Sequence, residues 1–281
     1  FSSQGFGAYN LTALYDATIT SGTTVTVSEK NFIPNITALM AAPTGANLYG
    51  TGGALPDGSL VSVGSLDPYH RQAANFALTS DGYMGWSTDN GAGGNNAISP
   101  PVYAGVTGTL LLGQGAAILA DPGAAVSLTS YDQLTDLGTI VAHGGSISLT
   151  GAPADSTPLA SSVWLGADSV LDASGTVLLN PFATPVWTAS GQRVPRTGEV
   201  LAGGSVSVLD GFAYVIAEAG SVIDVSGASG TFDIAQSAGG LRGIDYVPTP
   251  VWSNAGSITL GGGSGLLYDG TLMARGGSAE A

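Results

Sequence analysis

The sequence predicts an all-β chain wound as a parallel β-helix (solenoid) with loop insertions, and three observations carry that expectation. Glycines, 44 in 281 residues, interrupt the chain every few positions, and the apolar residues between them, mostly Val, Ile, Leu and Ala, come in runs of three to six. Apolar and polar residues alternate with period two rather than 3.6. Degenerate copies of one short pattern recur along the second half, which is how a stack of similar units reads in sequence.

The alternation is clearest in Thr18-Ile-Thr-Ser-Gly-Thr-Thr-Val-Thr-Val27, which has the β-branched content of one half-buried strand, and Val206-Ser-Val208 and Ile258-Thr-Leu260 repeat it in miniature. The repeats begin at Gly145-Ser-Ile-Ser-Leu149, Gly204-Ser-Val-Ser-Val208 and Gly256-Ser-Ile-Thr-Leu260, with starts 59 and 52 residues apart. Each is followed by a second strand-like unit, at Ser169–Gly175, Ser221–Gly227 and Thr271–Gly276, and Leu137–Gly144 resembles another copy. Thr184-Pro-Val-Trp187 recurs as Thr249-Pro-Val-Trp252. A unit with one narrow apolar strip cannot cover it without neighbours on both sides, so such units stack. Their corners want residues that tolerate left-handed backbone angles, which the Gly, Asn, Asp and Ser content supplies.

A sandwich would need longer strands and hairpin signals, and Asn90-Gly91, Asp57-Gly58 and Asp81-Gly82 all sit outside the repeats. At a rung spacing near 4.8 Å and roughly 20–25 residues per turn, the chain would form about 11–14 turns and a rod of about 50–65 Å. Residues 105–281 form the degenerate-repeat region. Residues 1–104 are richer in aromatics, including Phe1, Phe6, Tyr9, Tyr15, Phe32 and Tyr49, and carry the Gly-rich loop Asp89–Asn96 and Pro100-Pro101. They are read as part of the same solenoid with long insertions, a capping subdomain being the other reading.

Composition excludes several functions. Acidic side chains outnumber basic ones 20 to 6, and Lys30, Arg71, Arg193, Arg196, Arg242 and Arg275 are too scattered for a phosphate-binding stripe. A net charge of −14 repels nucleic acid, so none is expected as a partner. The absence of cysteine rules out disulfides and thiolate metal sites. No stretch reaches the roughly 18 continuous apolar residues of a membrane helix, and no signal peptide is visible. A start at Phe1 and an end shortly after Gly276-Gly277 suggest a piece of a longer protein.

The segments Gly198–Val208, Val215–Gly227 and Gly265–Gly277 resemble the filamentous haemagglutinin family of large Gram-negative exoproteins, and the likeness covers roughly Gly105 to Ala281. The resemblance implies a right-handed β-helix, two-partner secretion through an outer-membrane β-barrel transporter, and display as fibres on the bacterial cell surface. It also implies contact with a host or neighbouring-cell surface or glycan. The Asn-Pro-Asn signatures of the family's export domain do not occur here, which points to an internal or C-terminal part.

The expected role is therefore a structural and adhesive segment, with no catalytic residue, cofactor or metal. The alternative is a carbohydrate-active enzyme or tailspike-like depolymerase on the same scaffold. For that reading, Asp67-Pro-Tyr-His-Arg71 gathers a carboxylate, His70 and a guanidinium within five residues. The structural reading of the same stretch is a polar loop tying down an insertion, and His143 reads as a solvated corner. Turn residues Asp168, Asp172, Asp210, Asp224, Asp233, Asp269, Asp89 and Asn90 could supply oxygen ligands to calcium, but the tandem Gly-Gly-x-Gly-x-Asp pattern of calcium-loaded β-rolls is absent, and they are read as corner aspartates bonding their own backbone. With Lys30 the single lysine, no phosphate-binding Gly-x-x-x-x-Gly-Lys loop exists.

Asn10-Leu-Thr12 and Asn35-Ile-Thr37 match the glycosylation pattern without carrying a functional expectation. Trp86, Trp164, Trp187 and Trp252 are the candidate glycan or partner contacts, because an exposed indole offers a flat apolar face with a polar edge; packing under loops is the alternative. End-to-end self-association is expected as well, since unpaired strand edges at the end of a stack recruit other chains.

Overall fold

The computed structural model describes residues 6–45, 60–81, 108–151, 162–188, 191–237 and 244–278. Six successive circuits of the chain each contribute three strands. The first is β1 (Ala8–Ala13), β2 (Ala17–Ile19) and β3 (Thr24–Val27), followed by an excursion containing β4 (Asn31–Pro34), α1 (Ile36–Ala41) and β5 (Val61–Gly64). The second is β6 (Asn75–Ser80), β7 (Leu110–Leu112) and β8 (Ala117–Ala120), and the third β9 (Ala125–Ser130), β10 (Leu134–Asp136) and β11 (Thr139–Val141). The fourth, β12 (Ser146–Gly151), β13 (Ser162–Leu165) and β14 (Val170–Asp172), leads into β15 (Val177–Leu179), β16 (Val186–Thr188), β17 (Gly191–Arg193) and β18 (Gly198–Val200). The fifth, β19 (Ser205–Asp210), β20 (Tyr214–Ala217) and β21 (Val222–Asp224), leads into β22 (Ser229–Ser237) and β23 (Ile244–Trp252). The sixth is β24 (Ser257–Gly262), β25 (Gly265–Tyr268) and β26 (Thr271–Met273).

The first, second and third strands of the circuits assemble into three parallel six-stranded sheets, A, B and C, each in chain order. The chain is thus all-β with stacked parallel sheets, an arrangement consistent with a β-helix. Residues 8–27 and 75–80 lie in the same sheets as the later strands.

Alternation along each strand decides what faces inward. In sheet A, Phe76, Val126, Ile147 and Val206 stack in register, as do Leu78, Leu128, Leu149 and Val208, and all are buried. Leu110, Leu134, Val163 and Val215 do the same in sheet B, and Ile118, Ile140, Leu171 and Ile223 in sheet C. The four apolar stacks belong to one buried cluster, and each such side chain contributes roughly 1.5–3 kcal/mol on burial. The outward positions of sheet A carry Ser127, Ser148 and Ser207 and, two residues on, Thr79, Thr129 and Thr150.

Two of the polar departures from the apolar pattern are hydrogen-bonded. Asp136 takes an inward place in sheet B between Leu112 and Leu165 and is fully buried. Its Oδ1 accepts from the Gly138 N–H at 2.9 Å and its Oδ2 from the Ser169 hydroxyl at 2.6 Å. Burial pushes its pKa up to about 6, against the pull of those two bonds. At the last position of sheet A, the Ser80 and Ser130 hydroxyls donate to the carbonyls of Tyr15 and Gly108, each at 2.5 Å, and fasten the corner between sheets A and B.

The repeated Gly-Ser at the start of sheet A strands has a steric cause. Ala124, Gly145, Gly204 and Gly256 form a column, in which the Ser146, Ser205 and Ser257 N–H groups donate to the carbonyls of Ala124, Gly145 and Gly204 at 2.9, 2.9 and 3.0 Å. A Cβ on Gly145, Gly204 or Gly256 would stand 2.0, 1.9 or 1.7 Å from the carbonyl oxygen of the preceding member, so only glycine fits there.

Three expectations are corrected. Among the described residues there are six circuits rather than 11–14, and their sheet A strands start 67, 50, 21, 59 and 52 residues apart. The 21-residue circuit from β9 to β12 carries no insertion, and five steps of stacking span about 24 Å rather than 50–65 Å. Thr18–Val27 is two strands in different sheets, because the chain turns a corner at Gly22, whose φ of 73° suits glycine. The first excursion also holds the six-residue helix α1, which Asn35 caps by accepting from the Ala38 N–H at 3.1 Å.

Three long excursions, 28–74, 173–204 and 225–256, leave at the corner between sheets C and A. They fold back as antiparallel pairs, β4 with β5, β15 with β18, β16 with β17 and β22 with β23. The last two excursions are joined side by side. Arg193 donates to the Asp233 carboxylate at 2.7 Å and to the Tyr246 carbonyl at 3.0 Å, while Asp233 N–H donates to the Arg196 carbonyl at 2.8 Å. The first is anchored by Arg71, which pairs with the buried Asp121 through two nitrogens and donates its third to the Leu66 carbonyl at 2.6 Å.

Candidate functional site

The first and second of these excursions meet at a groove. On one side, Asp67 forms a tight turn: its Oδ1 accepts from the Tyr69 N–H at 3.0 Å and its carbonyl from the N–H groups of His70 and Arg71 at 2.9 and 3.0 Å. On the other, Asn180 forms a matching turn, with Oδ1 accepting from the Phe182 N–H at 2.9 Å and its own N–H donating to the Thr197 carbonyl at 2.9 Å. The exposed His70 ring bridges the two walls, packed edgewise on Tyr69 at 4.9 Å and on Phe182 at 5.1 Å. The groove between them has a volume of about 670 Å³; Asp67, Asn180, Arg196 and Thr197 are its polar lining, and Leu179, Pro181, Val194 and Pro195 make most of its wall.

The sequence stretch Asp67 to Arg71 does not converge as a catalytic group. Asp67 serves its own turn, His70 packs on Phe182, and Arg71 is committed to Asp121. His143 is half-buried and paired rather than a solvated corner. Its Nδ1 lies 3.2 Å from the Ser174 hydroxyl and 3.5 Å from Asp172 Oδ1. The hydrogen bond with Asp172 raises the imidazole pKa against the opposing effect of burial. Burial acts to raise Asp172 in turn, but the bonds from His143 and Ser174 outweigh it and hold the carboxyl at about 2. Both contacts fall on the same ring nitrogen, so no carboxylate–imidazole–hydroxyl relay exists here.

The corner aspartates bond their own backbone: Asp172, Asp210 and Asp224 accept from the N–H two residues on, at Ser174, Phe212 and Ser226. Asp168 accepts from the Gln114 side chain, Asp233 pairs with Arg193, and Asp269 is exposed. Asp89 and Asn90 lie outside the described residues. Among the described residues no group of three or more His, Asp or Glu is arranged to hold a metal ion. None of their helices is long and apolar enough to cross a membrane.

The tryptophans separate. Trp187, 79% exposed on β16, and Trp252, 53% exposed at the end of β23, sit on adjoining excursions of the same corner, with Phe182 exposed as well. Trp164 is 37% exposed on the outer face of sheet B, in register between Thr135 and Ile216. Trp86 lies outside the described residues.

No family model, curated protein or solved structure matches this chain. The likeness to filamentous haemagglutinins rests on the repeat residues alone. Sequence reasoning singled out Asp67 but missed Asn180, Phe182 and Arg196. Asn180-Pro181 is a turn signal that could have drawn notice, whereas nothing local marks Arg196 as facing a loop more than 120 residues earlier.

Proposed function

We propose that the chain is a structural and adhesive segment of a large secreted bacterial surface fibre, folded as a right-handed parallel β-helix. Strand-to-parallel-strand connections are right-handed in nearly all proteins, which supports the hand. The observation that carries the role is the division of labour in the fold. Three sheets run through six circuits, while among the described residues the three excursions that form antiparallel strands leave at one corner, and two of them expose Phe182, Trp187 and Trp252. The stack supplies reach, and the corner supplies contact. The family resemblance adds export through an outer-membrane β-barrel transporter and an extracellular, cell-surface location.

Attachment of the purified chain to epithelial and bacterial cell surfaces tests this reading. The Trp187→Ala, Trp252→Ala double variant should bind at least about tenfold more weakly, since exposed aromatics are the usual anchors of such contacts. Trp164→Ala should bind as the wild type does. Equal binding by all three would reject the corner as the contact surface. The depolymerase alternative draws support from Asp67 in the groove, yet glycoside hydrolysis ordinarily needs two facing carboxyl groups and Asp67 is the one carboxylate that lines it.

Self-association belongs to the same proposal. In the last circuit the inward Leu266 and Leu272 are 45% and 49% exposed, whereas Val215 and Ile223, the residues beneath them in register, are fully buried. The 281-residue chain should therefore sediment as concentration-dependent assemblies, and Leu272→Pro should shift it toward monomer. A clean monomer at high protein concentration and high salt would reject this.

A further inference from the structure

The groove's polar groups are held at one end and open at the other. Asp67 uses Oδ1 in its turn and leaves Oδ2; Asn180 uses Oδ1 and leaves the Nδ2 amide, for which no bond is found among the described residues. Arg196 donates its backbone N–H to Asp233 at 2.8 Å, while Arg193 takes the same carboxylate by side chain. The Arg196 guanidinium makes no hydrogen bond or ion pair among the described residues, and none joins it to Asp67 across the groove. A fixed acceptor, a fixed amide donor and a charged donor thus surround a wall of proline, leucine and valine.

This arrangement discriminates among ligands. A simple anion would meet Asp67 and the field of a chain of net charge −14, and a simple cation would meet Arg196. A neutral molecule whose hydroxyls both donate and accept, and whose C–H face is apolar, satisfies every group at once. We infer that the groove between the Asp67 turn and the β15–β18 excursion binds a neutral pyranose unit, with Asp67 accepting from, and Asn180 and Arg196 donating to, its hydroxyls. This rests on the reading of the corner as a contact surface and names what it contacts.

Saturation-transfer nuclear magnetic resonance on the full chain tests it, using methyl pyranosides of glucose, galactose, mannose and N-acetylglucosamine, with acetate and methylammonium as charged probes. At least one pyranoside should bind in the millimolar range. Asn180→Asp keeps the Oδ1 acceptor of the turn but removes the amide donor, and Arg196→Gln removes the cation. Each should weaken binding roughly tenfold or more, as expected for a lost bond to a charged or oriented donor. The Trp187→Ala, Trp252→Ala variant should keep pyranoside binding, which separates the groove from the aromatic contacts. No transfer from any pyranoside, preference for acetate or methylammonium, or binding that survives both groove variants would overturn the inference. Pyranoside binding without cell-surface attachment would reject the adhesive reading while leaving the groove assignment standing.

Discussion

Gly204→Ala is expected to destabilise the fold by about 3 kcal/mol or more, a large effect for one methyl group. The added Cβ would lie 1.9 Å from the Gly145 carbonyl oxygen and 2.8 Å from the Gly145 nitrogen, both backbone atoms that cannot swing aside. Relief requires moving the fifth circuit away from the fourth. That would lengthen the Ser205 N–H bond to the Gly145 carbonyl and open the stacks on either side, where Leu149 packs on Val208. Gly276→Ala is the matched control, since nothing lies within 4 Å of a Cβ at that site. Thermal or urea unfolding of the two variants measures the difference. A Gly204→Ala protein as stable as Gly276→Ala would mean that the circuits stack more loosely than the column implies.

Asp136→Asn should abolish the largest single pH dependence in the core. The carboxyl has a pKa of about 6 in the fold against an ordinary value of 3.8, so it binds a proton more tightly folded than unfolded. The stability from this group is complete below about pH 4 and is lost as pH rises through 6. Over that window the wild type should lose roughly 3 kcal/mol on this account. Asparagine keeps an acceptor for the Gly138 N–H and does not titrate, so the variant's profile should be flatter and its stability at pH 7 equal to or above that of the wild type. Urea unfolding between pH 4 and 7 gives both curves. Parallel profiles would show that Asp136 is not the buried titrating group. His143 also favours lower pH, but it is present in both proteins and cancels in the comparison.

Much of the stacking was legible because two positions per circuit are chemically constrained. The Gly-Ser starts at 145, 204 and 256 open β12, β19 and β24, and the units around Ile140, Leu171, Ile223 and Leu272 are β11, β14, β21 and β26, all in sheet C. Steric exclusion at the glycine column and the turns made by Asp172 and Asp224 force those residues to recur. Sheet B has no such constraint, and Leu134-Thr-Asp136 and Ser162-Val-Trp-Leu165 share only their inward apolar residue. The number of circuits was hidden because an excursion of any length leaves the register above and below it unchanged. The groove was half legible. The Asp67 to Arg71 stretch stood out as polar, but its partners Asn180 and Arg196 become neighbours only when stacking folds the second excursion back over the first.

The uneven circuits matter for a protein held under tension. The hydrogen bonds between circuits point along the stack, so a pull on its two ends loads the strand pairs in series and peels one circuit at a time. Successive sheet A starts are 67, 50, 21, 59 and 52 residues apart. At about 3.3–3.6 Å per extended residue, the compact circuit would release a tether of about 70 Å, and the longest more than three times that. The antiparallel strands would yield within those steps, their cross-bridges at Arg193 and Asp233 tying the fourth and fifth releases together. Such a segment would act as a graded shock absorber, giving way in unequal lengths instead of parting at a single load.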